Sequence, residues 1–285
     1  VWEAPIEVIR RNTQSRPALA GTSEPLFEVV NRFIAGPTAD LPIRIYRPSK
    51  VTERTIVYFH GGGWVLNFLD IYDASLARLA NQSGATIISV NYQKAPEHPF
   101  PIPFDDCYAT LLWVIQNSAE LAIDATKLGV AGDSAGANLA AAVALKARDN
   151  DIALAFQLLI YPCNDRDFET ESYHTNATGY GLSTQAMQWF WQQYLQGDAH
   201  NQNPYAVPMQ AKDFSNLAPA IVITAEYDPL LSDGEKYVEL LARDGVATSY
   251  KCYEGMIHGF FTNMAVTPAA EQAIDFSASE IVRLT

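Results

Sequence analysis

The chain is poor in cysteine, in cations and in long apolar runs, and each shortage excludes something. Its three cysteines, Cys107, Cys163 and Cys252, lie far apart and never in Cys-x-x-Cys spacing. An odd, sparse set offers neither a disulfide scaffold nor a zinc site and suits a reducing compartment. Lysine and arginine total 19 against 32 aspartates and glutamates, a net charge of −13. Affinity for nucleic acid comes largely from cations on phosphate, so no nucleic-acid partner is expected. No apolar run approaches the roughly 20 residues that span a bilayer, so no membrane span is expected. The opening "VWEAPIEVIRRN" lacks the continuous apolar stretch of a signal peptide, and a cytoplasmic location is the resulting expectation. It also lacks an initiating methionine, which leaves room for residues upstream.

What is present is an ordinary globular composition. With 285 residues, 48% of them hydrophobic, there is material for one large core or a core with a smaller appendage. Residues 1 to 40 are mixed, with a short helix near the start and turns marked by Pro17, Gly21, Pro25 and Gly36-Pro37. From 41 onward strands and helices alternate. "LPIRIYRP" (41–48), "RTIVYFH" (54–60), "TIISVNY" (86–92), "KLGVAGD" (127–133), "FQLLIYP" (156–162), "PAIVITAE" (219–226) and "TSYKCYE" (248–254) read as strands. Between them lie helical segments at 72–84, from about 104 to 117, at 134–149 and at 232–245, with a last one near 267–283. Gly84 reads as a C-cap. Such alternation specifies a mostly parallel sheet flanked by helices. Residues 163–210 break the rhythm with an aromatic-rich helix, "TQAMQWFWQQYL", and no buried strand. An insertion of that length reads as a small cap over a binding site.

Two motifs carry chemistry. "GVAGDSAGAN" holds Gly132-Asp133-Ser134-Ala135-Gly136 between a strand and an alanine-rich helix. There a serine sits on a sharp turn with its hydroxyl exposed at the carboxyl end of the sheet, and the flanking glycines allow the backbone to fold tightly. "HGGGW" (His60, Gly61, Gly62, Gly63, Trp64) follows an earlier strand. Composition alone would produce His-Gly-Gly-Gly in roughly one such chain in a thousand, so its pairing with the serine turn is specific. A serine that attacks an acyl group needs backbone N–H donors for the developing oxyanion. One comes from the residue after the serine, Ala135, and another from a glycine loop of this kind. His60 precedes the serine and reads as a structural brace.

In this type of site the chain order is nucleophile, acid, base. Of the histidines after Ser134, His174 and His200 fall in the insertion and read as surface residues, whereas His258 follows the last strand in "YEGMIHGF". His258 is therefore the expected base. For the acid, "IVITAEYDPLLSD" offers Glu226, Asp228 and Asp233. Glu226 lies too close to the strand and Asp233 reads as a helix start, which leaves Asp228 in the loop. Glu97 and His98 read as loop scaffold, and Asp105 and Asp106 as first-turn carboxylates. No spacing of ligands implies a metal, and no cofactor is expected.

These residues resemble the hormone-sensitive-lipase-like carboxylesterases of the α/β-hydrolase superfamily, bacterial acetyl esterases among them. "HGGGW" (60–64), "YQKAPEHPFPIPFDD" (92–106), "GDSAGANLA" (132–140), "EYDPLLSDG" (226–234) and "IHGF" (257–260) carry the resemblance over about 40 to 285. It implies an α/β-hydrolase fold, Ser134 as nucleophile with Asp228 and His258, and an oxyanion hole from Gly62, Gly63 and Ala135, supported by His60 and Gly61. It also implies a cap built from residues 1–40 and 163–210 over a core of 41–162 and 211–285. Ala137 stands where the family often has glycine, and family members commonly carry a longer segment before the glycine loop.

The expected reaction is hydrolysis of small acyl esters through an acyl-enzyme. Trp64, Tyr180, Trp189 and Phe190 are expected to wall a closed apolar pocket for short acyl chains. Amide hydrolysis and a non-catalytic binding module on the same fold stay open as other readings. A small-molecule ester is the expected partner, and the sequence leaves a homodimer open.

Overall fold

The β-branched and aromatic runs become the strands of one sheet in the computed structural model, which describes residues 5–13 and 16–285. In chain order the strands are β1 (Glu28–Ala35), β2 (Asp40–Arg47), β3 (Arg54–Phe59), β4 (Ala85–Val90), β5 (Leu128–Asp133), β6 (Gln157–Ile160), β7 (Ala220–Tyr227) and β8 (Thr248–Ile257). They lie in the order β1-β2-β4-β3-β5-β6-β7-β8. β1 and β2 are antiparallel, as are β2 and β4, and every pairing from β4 to β8 is parallel. The helices are α1 (Ile6–Asn12), α2 (Pro17–Ala20), α3 (Asp73–Ser83), α4 (Ile102–Gln116), α5 (Ala135–Asp149), α6 (Glu171–Thr175), α7 (Thr184–Leu195), α8 (Leu231–Arg243) and α9 (Pro268–Leu284).

Both faces of the sheet are covered, which is why the central strands read as continuous apolar runs and not as alternating ones. On one face Val57, Phe59, Val130, Leu159 and Val222 join a core completed by α4, α5, α7 and α8. On the other, Ile56, Tyr58, Ala131, Leu158 and Ile221 pack with α3 and α9. Gly84 ends α3 in the left-handed conformation at φ 65°, the C-cap expected from its position.

The first 40 residues depart from the expectation of a cap segment, because residues 28–35 form strand β1 of the central sheet. Its sequence, Glu-Val-Val-Asn-Arg-Phe-Ile-Ala, leaves Val29 and Phe33 exposed and buries Ile34. An edge strand with apolar residues on both faces has no clean period to read. Ahead of it, α1 is fastened over two loops by Arg10. That guanidinium donates to the Val65 and Ala95 carbonyls, both at 3.0 Å, and pairs with both oxygens of Glu97.

Residues 163–210 contain α6 and α7. Ser172 of α6 donates to the Pro229 carbonyl at 2.6 Å. Near the end of α7 the Tyr194 carbonyl accepts from the Phe100 N–H at 2.8 Å. Both attachments lie on loops at the carboxyl ends of strands, where the candidate catalytic residues also fall. Among the described residues no helix is long and apolar enough to cross a membrane.

Candidate active site

β5 runs through Asp133 and turns at Ser134 directly into α5. The serine has φ 55° and ψ −121°, outside the ordinary regions for a non-glycine residue. Such backbone costs on the order of 1–3 kcal/mol and persists only where the surroundings determine it. Here the Ser134 N–H donates to the Ile160 carbonyl at 2.8 Å, and the Ser134 carbonyl accepts from Ala137 and Asn138. The turn tolerates no side chain at its flanks. A Cβ on Gly136 would overlap the Phe59 carbonyl, and one on Gly132 the backbone of Gly136.

Asp228 follows β7, and His258 follows the adjacent and parallel β8. The parallel pairing brings both strand ends to the same edge, so residues 30 positions apart meet. His258 Nδ1 lies 2.6 Å from Asp228 Oδ2, and His258 Nε2 lies 2.9 Å from Ser134 Oγ. Asp228 is fully buried, and its second oxygen accepts from the Leu230 N–H at 2.9 Å. The Asp228 loop is also held from the insertion: Asn176 donates to the carbonyls of Glu226 and Asp228. The Tyr161 ring lies 4.6 Å from the His258 ring and limits its rotation. Asp233, another of the three candidate acids, is buried at the start of α8 and accepts from the Asp165 N–H at 3.3 Å. Burial raises its pKa well above the usual carboxylate range. His174 lies exposed beside Glu169, and His200 lies against Phe100.

The glycine loop after β3 approaches the same point. Gly62, Gly63 and Ser134 line one cavity, and among the described residues no acceptor engages the N–H of Gly62 or Gly63. Ala135 is the first residue of α5, so its N–H has no intrahelical acceptor. Gly63 has φ 61°, and a Cβ there would run into the ring of Phe190. His60 is buried, stacked on Tyr92 with ring centres 4.4 Å apart, with its Nδ1 2.8 Å from the Gly61 carbonyl. Burial, helped by the nearby charge of Lys94, lowers its pKa to about 3, so it stands neutral in the loop.

Asp133 is the residue that motif reasoning passed over. Its carboxylate accepts from the Gly61 N–H at 2.9 Å, from Tyr58 Oη at 2.9 Å and from Tyr72 Oη at 3.2 Å. It therefore ties the glycine loop to the serine turn. Burial raises its pKa to about 6, against the opposing effect of these donors. The signal was present as the charged residue inside Gly-Asp-Ser-Ala-Gly, but its partners lie 61 to 75 positions away.

The cavity holds about 300 Å³. Phe190 lines it, together with Leu182 and Met187, while Trp64, Tyr180 and Trp189 do not. Trp64 corrects the expectation most clearly. It is fully buried, stacked on Tyr194 at 4.3 Å with ring planes 1° apart, and it also touches Trp191. Its backbone at φ 59° turns the side chain away from the cavity and under α7. Tyr180 stacks on Tyr227 at 4.9 Å, and Trp189 meets Phe190 edge-on. In α7 the buried positions are Ala186, Met187, Phe190, Trp191, Tyr194 and Leu195, and helical phase leaves Trp189 only partly buried.

The chain is similar to known proteins in both sequence and structure. The profile of a family described as alpha/beta hydrolase fold matches residues 56–262. A carboxylesterase of Mycobacterium tuberculosis is 40% identical over 240 residues, covering 82% of this chain and 75% of its own. An arylesterase of Saccharolobus solfataricus is 38% identical over 254 residues, covering 88% of this chain and 83% of its own. An ester-hydrolase from the metagenome of Lake Arreo, solved with a bipyridine phosphonate derivative, superposes with a TM-score of 0.95 at 37% identity. That match covers 99% of this chain and 91% of the other. With its serine turn, glycine loop and doubly covered sheet, the chain belongs to the hormone-sensitive-lipase-like carboxylesterase family of the α/β-hydrolase superfamily.

Proposed function

We propose that this protein is a serine carboxylesterase for short-chain acyl esters, with Ser134 as nucleophile, His258 as general base and acid, and Asp228 as its orienting partner. The observation that carries the reading is the continuous path from Asp228 through His258 to Ser134, at 2.6 and 2.9 Å. The Ser134 hydroxyl attacks the ester carbonyl carbon while its proton passes to His258 Nε2. Asp228 accepts from Nδ1–H, holds that tautomer and stabilises the imidazolium. The carbonyl oxygen becomes an oxyanion that the N–H groups of Gly62, Gly63 and Ala135 are disposed to receive. Collapse re-forms the carbonyl and breaks the bond to the alcohol oxygen, which leaves with the proton from His258. Water then adds to the acyl-enzyme, gives its proton to His258, and the acid product departs as Ser134 recovers its own.

A cavity of about 300 Å³ with Leu182, Met187 and Phe190 on its apolar side supports a small acyl group. It stands at the low end of the range for small-molecule sites, and roughly two to six acyl carbons is the expected optimum. Turnover of p-nitrophenyl esters of graded chain length tests this. Ser134→Ala should lower kcat by about 10⁶-fold while leaving the fold intact, and an organophosphonate should label Ser134 alone. Retention of a few per cent of activity in the purified variant, or an optimum at twelve carbons, would overturn the reading.

A further inference from the structure

The candidate active-site cavity contains a cation that the reaction does not use. Arg16 lines it from the N-terminal segment, just before α2, and its Nη1 donates to Asn67 Oδ1 at 3.2 Å. Most arginines of this acidic chain are neutralised by a carboxylate: Arg10 by Glu97, Arg44 by Asp70 and Asp73, Arg78 by Glu24 and Asp275. Among the described residues Arg16 has no such partner. The cavity's own carboxylate, Asp133, is occupied by Tyr58, Gly61 and Tyr72, and the nearby Asp228 by His258 and Leu230.

Its surroundings mix apolar and polar groups: Leu19, Leu66 and Ile71 line the same cavity beside two side-chain amides. Asn67 comes from the loop after the glycine turn, where its Nδ2 donates to the Gly61 carbonyl and to Tyr72 Oη. Asn263, on the loop after His258, lines the same cavity with a side-chain amide that has no partner among the described residues. Arg16 is thus presented by a neutral acceptor that leaves the rest of its guanidinium fork free, with a second amide on the cavity wall. Leu182, Met187 and Phe190, from residues 163–210, add a further apolar wall. Burial raises the pKa of the Tyr72 and Tyr161 hydroxyls, and the charge of Arg16 is a small opposing influence.

We propose that Arg16, assisted by Asn67 and Asn263, is a specificity-determining residue that recognises a carboxylate on the substrate, so that the enzyme prefers small hemiesters over neutral esters of the same shape. A guanidinium fork donates to both oxygens of a carboxylate, and such charge-assisted bonds are stronger than neutral ones. The inference rests on the esterase reading for its reaction and adds the substrate class. The carboxylate can belong to the acyl part, as in a monomethyl dicarboxylate, or to the alcohol part, as in an O-acetyl hydroxy acid.

Paired substrates test it. Monomethyl malonate, succinate, glutarate and adipate form one arm and O-acetyl glycolate and O-acetyl 3-hydroxypropanoate the other, each compared with the isosteric carboxamide. In at least one arm the wild type should favour the carboxylate by roughly tenfold in kcat/KM, carried by KM; solvent exposure of Arg16 keeps the ratio modest. Arg16→Gln should bring the ratio close to one, Arg16→Lys should keep part of it, and Arg16→Glu should invert it. Any loss transmitted through Asn67 to the glycine loop strikes both members of a pair and cancels in the ratio. The same pairs are titrated calorimetrically into Ser134→Ala protein, with and without Arg16→Gln, so that binding is read without turnover. A wild type that hydrolyses neither ester and is not labelled by phosphonate defeats the esterase reading, while the titration still decides the role of Arg16. A ratio of one or below in both arms, or a preference that survives Arg16→Gln, overturns the proposal.

Discussion

Replacing Asp133 by asparagine should separate the electrostatic cost of a buried carboxylate from its geometric use. Burial raises the Asp133 pKa from 3.8 to about 6, and donors from Tyr58, Gly61 and Tyr72 together with the charge of His258 oppose that rise. The folded carboxyl therefore holds its proton more tightly than the unfolded one. Between those two pKa values the folded state binds more protons, and the wild type loses stability as pH rises across the window. Fully developed, the displacement is worth about 3 kcal/mol against the folded state, and about 1.4 kcal/mol of it falls between pH ~5 and ~7.5. Asparagine cannot ionise. Its Oδ1 can still accept from Tyr58 and Gly61, while its amide N–H₂ faces Tyr72 Oη, which loses an acceptor. Urea unfolding followed by tryptophan fluorescence gives the stability of each protein at both pH values. The wild type minus Asp133→Asn difference should fall by about 1.4 kcal/mol from the lower to the higher pH, with other titrating groups common to both proteins. A neutral acceptor also holds the Gly61 N–H less firmly, so kcat should fall roughly tenfold with KM little changed. A stability difference that is flat or rises with pH would refute the reasoning.

The other predictions address the triad, the core and the pocket. Asp228→Asn should lower kcat by about 10⁴-fold by spoiling the imidazole tautomer, whereas Asp233→Asn should stay within about threefold of wild type; steady-state kinetics on p-nitrophenyl acetate decides, and the reverse result would move the acid to Asp233. Trp64→Ala should cost about 3–5 kcal/mol in urea unfolding while the acyl-length optimum of the surviving activity stays put, because the ring packs on Trp191 and Tyr194 and not on substrate. Met187→Ala should instead move that optimum to longer chains, with each newly accommodated methylene contributing up to about 0.8 kcal/mol, or roughly fourfold in kcat/KM. An unchanged profile would remove Met187 from the acyl wall.

Much of the site was legible because its parts are short and local. A serine turn needs small neighbours two residues away on either side, and Gly132 and Gly136 satisfy that within five positions. His258 and Asp228 could be ranked because each follows a readable strand. Residues whose task depends on distant partners were not legible. Asp133 shows its use only when Gly61 and Tyr72 come beside it. Ser172 and Asn176 look like ordinary loop polar groups until they are seen fastened to the Asp228 loop. Trp64 misled for a related reason: a tryptophan after three glycines is near the site in sequence, but the backbone at φ 59° directs it under α7. β1 escaped because an edge strand meets one neighbour and carries no strong burial pattern.

By itself the sequence determined the alternation of strand and helix, the strain-bearing serine turn and the glycine loop, since each depends on residue size, period or spacing within a dozen positions; the proposed order of nucleophile, acid and base came from the candidates that follow readable strands. Only the tertiary structure decided what surrounds Ser134. Parallel pairing of β7 with β8 brings Asp228 to His258, and α7 buries Trp64 while turning Phe190 and Met187 to the cavity. Docking of the N-terminal segment leaves Arg16 there without a carboxylate among the described residues. Those contacts join residues from 30 to 130 positions apart, and no local property of the chain selects one such pairing over another; the packing of the whole sheet and its cover does.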